Sequence, residues 1–469
     1  MPENYNNESP LFWSIDCLKD AYRRGEISPV EVLEESILRA EEYNPYLNAY
    51  LERLDEQARS QAKKAEKIFL DHSKEIPSLC GIPISIKDTF ELKGSFTTYG
   101  SAYFRENFTK KDHDLVKRLR SSGAVFTGKT NTPEFAQSAT TENRLGDDAR
   151  NPWDTSLTPG GSSGGAAATV AAGLVTAAIG ADGGGSIRIP ASFTGLFGFK
   201  PTYGLCKYKK GLKAMSEFIA PGPLTRRVGD ARIILEVLAN YSYSHESLNK
   251  QRLRVAWCPM PGKNPVDSQI AKIVEEAVYK LAALGHEIKE IEIPVEGWNE
   301  AFDTLVLAEE HRERGYLLEE APELLTDYEH KSLEAGCKIT EENVEMARLA
   351  HREYRQKFQK FFNDFDVLVT PVTASTAFKI GQRPLKVNDQ KVKWLWGAFP
   401  FTSPFNVSGN PAASIPCGIS ESLPVGLQLI GRWNAEELLL NLSEDLEEAL
   451  EFDDSQVRKK WRQKVRKNK

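Results

Sequence analysis

The sequence predicts an α/β protein built on one large sheet. Three observations carry that expectation. Short apolar, strand-like runs recur along the whole chain, helical periodicities lie between them, and no internal repeat or low-complexity linker divides the 469 residues. Length alone would suggest two or three domains. With 41% hydrophobic and 27% charged residues the chain has the composition of a folded protein with a large core, which excludes a disordered binding segment.

The elements follow in order. Ser28-Pro29-Val30-Glu31 is a capping box with proline at the first helical position, and Val30, Leu33, Ile37 and Ala40 continue at helical spacing. Residues 10 to 75 are therefore expected to be helical. At Gly81 the texture changes to GIPISIKDTF, where Ile82, Ile84 and Ile86 alternate with Pro83, Ser85 and Lys87, a strand with Lys87 on the face opposite the isoleucines. AAATVAAGLVTAAIGA, residues 166 to 181, reads as a buried helix and then a buried strand, too short and too rich in glycine and threonine to span a bilayer. RVAWC (254 to 258) is a strand and IAKIVEEAVYKLAALG (270 to 285) a helix. DVLVTPV, ASIPCG and PVGLQLIG supply late strands, and AEELLLNLSEDLEEAL a late helix.

Several classes of function are disfavoured. The N-terminus, MPENYNNESP, lacks the basic and apolar regions of a secretory signal, so a cytoplasmic location is expected. Six scattered cysteines with no C-x-x-C spacing argue against a disulfide framework and against a zinc site, and no metal or cofactor is expected. Net charge is −6, yet residues 457 to 469 carry eight basic groups and no acidic one. Val457, Trp461 and Val465 fall four apart there, so the tail reads either as a basic amphipathic helix for a membrane or nucleic acid, or as a solvated end. The second reading is taken, and no nucleic-acid partner is expected.

Four signals compete for the chemistry. GAVFTGKT, residues 123 to 130, fits the phosphate-loop pattern, but its interior resembles a strand and Pro133 follows closely, so nucleotide binding at Lys129 is kept only as the alternative from a different class. GGSSGG, residues 160 to 165, matches the nucleophile-elbow pattern at Ser162 and at Ser163. No histidine follows His351, and His311 and His351 lie in charged, helix-like stretches that read as solvated, which disfavours a Ser-His-Asp enzyme. In ADGGGSIRIP, residues 181 to 190, three glycines precede Ser186. Bare backbone there permits either a tight structural turn or a nest of N–H donors for an oxyanion. Lys87 on its strand is either a solvated charge or, if desolvated, a base able to activate a serine.

Together GIPISIKD, GKTNTPEFA, ARNPWD, TPGGSSGG, ADGGGSIRIPAS, GFKPTYG, GPLTR and PVGLQLIG resemble the amidase signature family, in order from about residue 10 to 450. The resemblance implies an α/β/α fold around a large mixed sheet. It implies Ser186 as nucleophile, Ser162 as a second serine in a cis peptide, Lys87 as base, and the backbone of Gly183, Gly184, Gly185 and Ser186 as oxyanion hole. Asp182 and Arg188 resemble the residues that hold the turn, and Ala136 in PEFAQS resembles a substrate contact. On this resemblance residues 1 to 469 form one amidase domain. Its parts are a helical segment (10 to 75), a catalytic core (80 to 230), a variable helical region (245 to 365), returning strands and helix (366 to 450) and the basic tail.

The implied activity is hydrolysis of a small-molecule amide without cofactor or membrane span, with a homodimer left open. Family members that serve as glutaminase subunits of tRNA-dependent amidotransferases hold glutamine with an arginine and an aspartate, the latter just before the segment matching FTSPFNVSGNP. Here that stretch is WLWGAFPF, residues 394 to 401, with no acidic residue. An aromatic wall there favours an apolar or aryl amide, the glutaminase subunit with partner chains is the alternative, and ordinary core is the competing reading of those rings.

Overall fold

The computed structural model describes residues 8–71, 75–208, 211–245 and 251–462. The capping box forms as expected. Ser28 Oγ accepts from the Glu31 N–H at 3.2 Å, the Glu31 carboxylate accepts from the Ser28 N–H at 2.7 Å, and the helix runs Pro29–Leu47. Residues 10 to 75 are not helical throughout. Tyr50–Arg53 is a strand, β1, wedged between that helix and the helix Asp55–Leu70. Four residues with a bulge after Tyr50 are too few for alternation to be visible in sequence.

Ten further strands join β1 among the described residues: β2 (Pro83–Lys87), β3 (Val125–Thr130), β4 (Ala177–Asp182), β5 (Phe197–Lys200), β6 (Ala220–Thr225), β7 (Arg254–Trp257), β8 (Glu287–Glu290), β9 (Val367–Pro371), β10 (Ala412–Ser420) and β11 (Leu423–Gly431). They form one sheet in the order β1-β3-β2-β4-β6-β5-β10-β11-β9-β7-β8. β2 runs parallel to β3 and β4, and β9, β7 and β8 are mutually parallel neighbours. The strands from β4 across to β9 pair antiparallel, so the sheet is mixed.

Period-two alternation splits the core between the two faces. Val367, Val369, Leu427 and Leu429 pack with Ile84, Ile86 and Ile179 on one side. Leu368, Ile430 and Ala412 pack on the other with Phe302, Val306 and Phe358, which come from the helices Trp298–Arg314 and Glu341–Phe361. Helices cover both faces, giving the expected α/β/α arrangement.

GAVFTGKT folds as the strand its interior resembles, and two other sequence expectations change in the folded chain. GAVFTGKT leads into and fills β3 rather than forming a phosphate loop, and Lys129 is fully buried with its Nζ on Asp88 Oδ1 at 2.5 Å. His351 is buried rather than solvated, its Nε2 2.9 Å from the Val407 carbonyl, because the helix Glu341–Phe361 turns that face onto the sheet. The start of the basic tail is not a loose end. The helix Ser455–Lys460 buries Val457, and Trp461 packs edge-on to Tyr43 at 5.2 Å while donating to the Pro152 carbonyl at 2.9 Å. Val465 lies outside the described residues. No helix among the described residues is long and apolar enough to cross a membrane.

Candidate active site

β2 places Lys87 as its alternation requires, on the face away from the isoleucines, but that face is dry. The helix Gly164–Ala171 covers it, and Ser85 one residue pair back meets Thr169 Oγ1 at 2.9 Å. Lys87 Nζ is fully buried and donates to Ser162 Oγ at 2.6 Å and to the Ala181 carbonyl at 3.3 Å. Ser162 follows a cis peptide bond at Gly161–Ser162. Burial pushes the Lys87 ammonium down to about 7, against the opposing pull of the Asp182 carboxylate.

Ser186 stands one turn beyond the end of β4. The Ser163 N–H donates to the Ser186 carbonyl at 3.1 Å, which ties the GGSSGG segment to the glycine turn. Among the described residues no hydrogen bond joins Ser186 Oγ to Ser162. Ser186 instead lines a cavity of about 210 Å³ that Ala136 and Gly184 also border. Ala136, which the resemblance offers as a substrate contact, has φ +61° and is one of the residues lining this cavity.

The turn is fixed by one buried ion pair. Asp182 and Arg188 are both fully buried and meet at 2.8 Å. Asp182 also accepts from the N–H groups of Gly185 at 2.7 Å and Ile187 at 3.1 Å. Burial alone would raise the Asp182 carboxyl, but the Arg188 guanidinium outweighs it and holds the group well below the usual carboxylate range. With the Gly185 N–H committed to Asp182, the expected oxyanion donors reduce to Gly183, Gly184 and Ser186. Gly185 sits at φ +131°, and a Cβ there would lie 2.2 Å from Thr402 Oγ1, so no other residue fits.

Sequence reasoning named Asp182 and Arg188 but missed their distant partners. Arg188 donates to Gln428 Oε1 at 2.6 Å and to the Thr402 carbonyl at 2.9 Å, Asn406 Nδ2 donates to Asp182 Oδ1 at 2.9 Å, and the hydroxyls of Thr402 and Ser403 bind the Gly184 carbonyl at 2.8 and 2.7 Å. One signal was available: Gln428 is a polar residue inside the apolar run PVGLQLIG, and buried amides need partners.

The cavity wall was half anticipated. Trp396 lines it, but Phe399 and Phe401 are fully buried core and Trp394 is half exposed. Phe302, Asp303 and Val306, from the helix Trp298–Arg314, and Arg383 also line the wall and were not foreseen. Burial pushes the Asp303 carboxyl up to about 6. Among the described residues no group of three or more His, Cys, Asp or Glu side chains is placed to hold a metal ion.

Comparison with known proteins bears on this arrangement. The family model described as Amidase matches residues 31–440. The A subunit of the glutamyl-tRNA(Gln) amidotransferase from Caldanaerobacter subterraneus subsp. tengcongensis is 34% identical, over 93% of this chain and 96% of that protein. The crystal structure of an amidase superposes with a TM-score of 0.87 at 31% identity, covering 93% of this chain and all of that one. A bacterial aryl acylamidase of the amidase signature family superposes at 0.88 with 26% identity, over 97% of this chain and all of that one. With the glycine turn, the cis serine and the buried lysine found where these matches run, the chain belongs to the amidase signature family.

Proposed function

We propose that the protein hydrolyses the C–N bond of a small carboxylic amide, with Ser186 as nucleophile, Ser162 as relay and Lys87 as base. Ser186 Oγ bonds to the amide carbon as its proton passes through Ser162 to neutral Lys87. The N–H groups at Gly183, Gly184 and Ser186 receive the oxyanion. The C–N bond then breaks, the relay returns the proton to the departing amine, and water cleaves the acyl-enzyme to release the acid and restore the Ser186 hydroxyl.

One observation carries the substrate reading. A Cβ on Gly184 would meet Phe302 Cζ at 3.2 Å and Trp396 Cη2 at 3.6 Å, so two aromatic rings lie against the turn beside the nucleophile. Their position supports an apolar or aryl group next to the scissile amide. The second reading, a glutaminase subunit of a tRNA-dependent amidotransferase, is supported more strongly by kinship, since the 34%-identical relative carries that name. The two readings differ in what is hydrolysed. On the first, the isolated chain turns over 4-nitroanilides and leaves glutamine intact; on the second, glutamine is cleaved and anilides are not.

The nucleophile is tested without knowing the substrate. A fluorophosphonate should label the native protein at Ser186 alone, and mass spectrometry placing the label on Ser162 or Ser163 would overturn the assignment. The aromatic residues should separate into two groups. Trp396→Ala should raise KM for aryl amides about tenfold or more, as expected for loss of a large apolar contact, while sparing acetamide. Phe399→Ala and Phe401→Ala should instead lower unfolding stability by about 3–5 kcal/mol, read by urea denaturation, because they empty core positions.

A further inference from the structure

Gln137 lines the cavity that holds Ser186, and the turn carrying it is locked from behind. Phe135 and Ala136, the two residues before it, both adopt positive φ, at +47° and +61°. That conformation is strained for a residue with a side chain and persists only where the surroundings impose it. The Glu134 carboxylate supplies the constraint. Its Oε2 accepts from the N–H and the hydroxyl of Thr326, each at 2.7 Å, and its Oε1 from Ser101 Oγ at 2.7 Å.

The side chain of Gln137 is fixed as firmly. Its Nε2 donates to Glu310 Oε1. Glu310 is fully buried, and its other oxygen accepts from Arg314 Nε at 2.9 Å. Glu329, also fully buried, lies 3.9 Å from the same Arg314 nitrogen. Burial, reinforced by the Glu310 charge, pushes the Glu329 carboxyl well above the usual carboxylate range, so Glu329 carries the proton of the pair. Burial raises Glu310 as well, but the Arg314 guanidinium pulls against that rise and keeps Glu310 the anionic member. An ionised carboxylate only accepts, so the Gln137 amide turns its NH2 to Glu310 and its carbonyl oxygen away. Among the described residues no donor reaches that Oε1, and the atom remains accessible. Gln137 thus offers the cavity an unpartnered acceptor of fixed orientation.

We propose that Gln137 is a specificity residue of this cavity, its Oε1 accepting a hydrogen bond from a neutral N–H or O–H group that the substrate carries beside its apolar part, and that Glu310 is the positioning residue that aims it. The inference rests on Ser186 acting as the nucleophile of this cavity. A neutral amide oxygen cannot offset the desolvation of an ammonium, so the matched donor is an uncharged one, such as a second amide or a hydroxyl. A substrate without it displaces water and leaves Oε1 unpaired, which costs more than the mean worth of the bond.

The test uses the full chain and two pairs of amides that differ in the donor alone. N-acetylglycine 4-nitroanilide is compared with 4-oxopentanoic 4-nitroanilide, in which CH2 replaces the N–H. On the amine side, 4-acetamidophenol is compared with 4-acetamidotoluene. The donor member of at least one pair should be preferred in kcat/KM by about 5- to 50-fold. Gln137→Met, which keeps the length and removes the acceptor, should bring that ratio to within about twofold of unity, through KM. Glu310→Gln should shrink the ratio, again through KM rather than kcat, because a neutral amide there pairs with Gln137 in either orientation. Merely structural roles would depress both members alike and leave the ratio intact, and that result overturns the proposal. A preference that survives in Gln137→Met would belong to Asp303, the carboxylate of the same wall, and overturns it too. So does a wild type with no preference, in which case turnover of both members leaves the Ser186 reading standing. If no amide is hydrolysed, protection of Ser186 from the fluorophosphonate decides. The donor member should slow labelling of the wild type more than its partner does and lose that advantage in Gln137→Met, and equal protection by the two members overturns the proposal.

Discussion

Lys87→Ala should lower kcat/KM by about four orders of magnitude or more, because a base and the relay it feeds act as one unit. Lys87→Arg should be no better. A guanidinium stays protonated, so charge without basicity cannot take the proton that Ser186 must lose. Lys87→Met, which fills the space without a charge, should be equally inactive yet unfold no earlier than the wild type. Wild-type kcat/KM should rise with pH along a limb near 7, where burial has brought the Lys87 ammonium, because the protonated lysine below that pH cannot act as a base. The same displacement links stability to pH. The unfolded chain keeps this proton up to about 10.4, whereas the folded chain releases it near 7. Below about 7 this group costs the folded state stability, and between those values the cost is relieved as pH rises, so stability increases with pH there. Near-normal turnover by Lys87→Arg would make Lys87 a binding or structural cation and end the proposed mechanism.

The second large effect belongs to the ion pair behind the glycine turn. Asp182→Ala should destabilise the protein by about 3–5 kcal/mol, because it leaves a fully buried guanidinium without its anion. It also strips the Gly185 and Ile187 N–H groups of their acceptor, so Ser186 should lose its reactivity toward fluorophosphonates even at temperatures where the fold persists. Urea unfolding and the labelling rate measure the two consequences separately. An unchanged urea midpoint would show that the pair does not hold the turn.

How far this was legible in the sequence depends on separation along the chain. Lys87, Ser162 and Ser186 each sit in a short motif whose local pattern declares strand, glycine turn or strand end, and those placements match the fold. The alternation of Ile82, Ile84 and Ile86 gave the facing of Lys87 but not what covers that face. Dryness is a tertiary property, supplied by the helix Gly164–Ala171. Residues that reach the site from far away were not legible. Phe302 and Val306 fall at the i, i+4 spacing of any core-facing helix, and nothing local distinguishes a position that lines a cavity from one that fills the core. The segment WLWGAFPF shows the same limit within eight residues, since Trp396 reaches the cavity while Phe399 and Phe401 point into the core. His351 and the helix Ser455–Lys460 were misread for the converse reason, because charged neighbours hide a side chain that one helix face buries.

The hydroxyls that fix the Gly184 carbonyl also set an order of events at the ribosome. Thr402 and Gly184 are 218 residues apart, so at about 5–20 residues per second Ser186 emerges about 10–40 s before its turn can be clamped. During that interval the growing chain carries Lys87, Ser162 and Ser186 but lacks Thr402, Ser403, Asn406 and Gln428. In an unfinished polypeptide the glycine turn therefore stays unclamped until residues 402 to 428 have emerged.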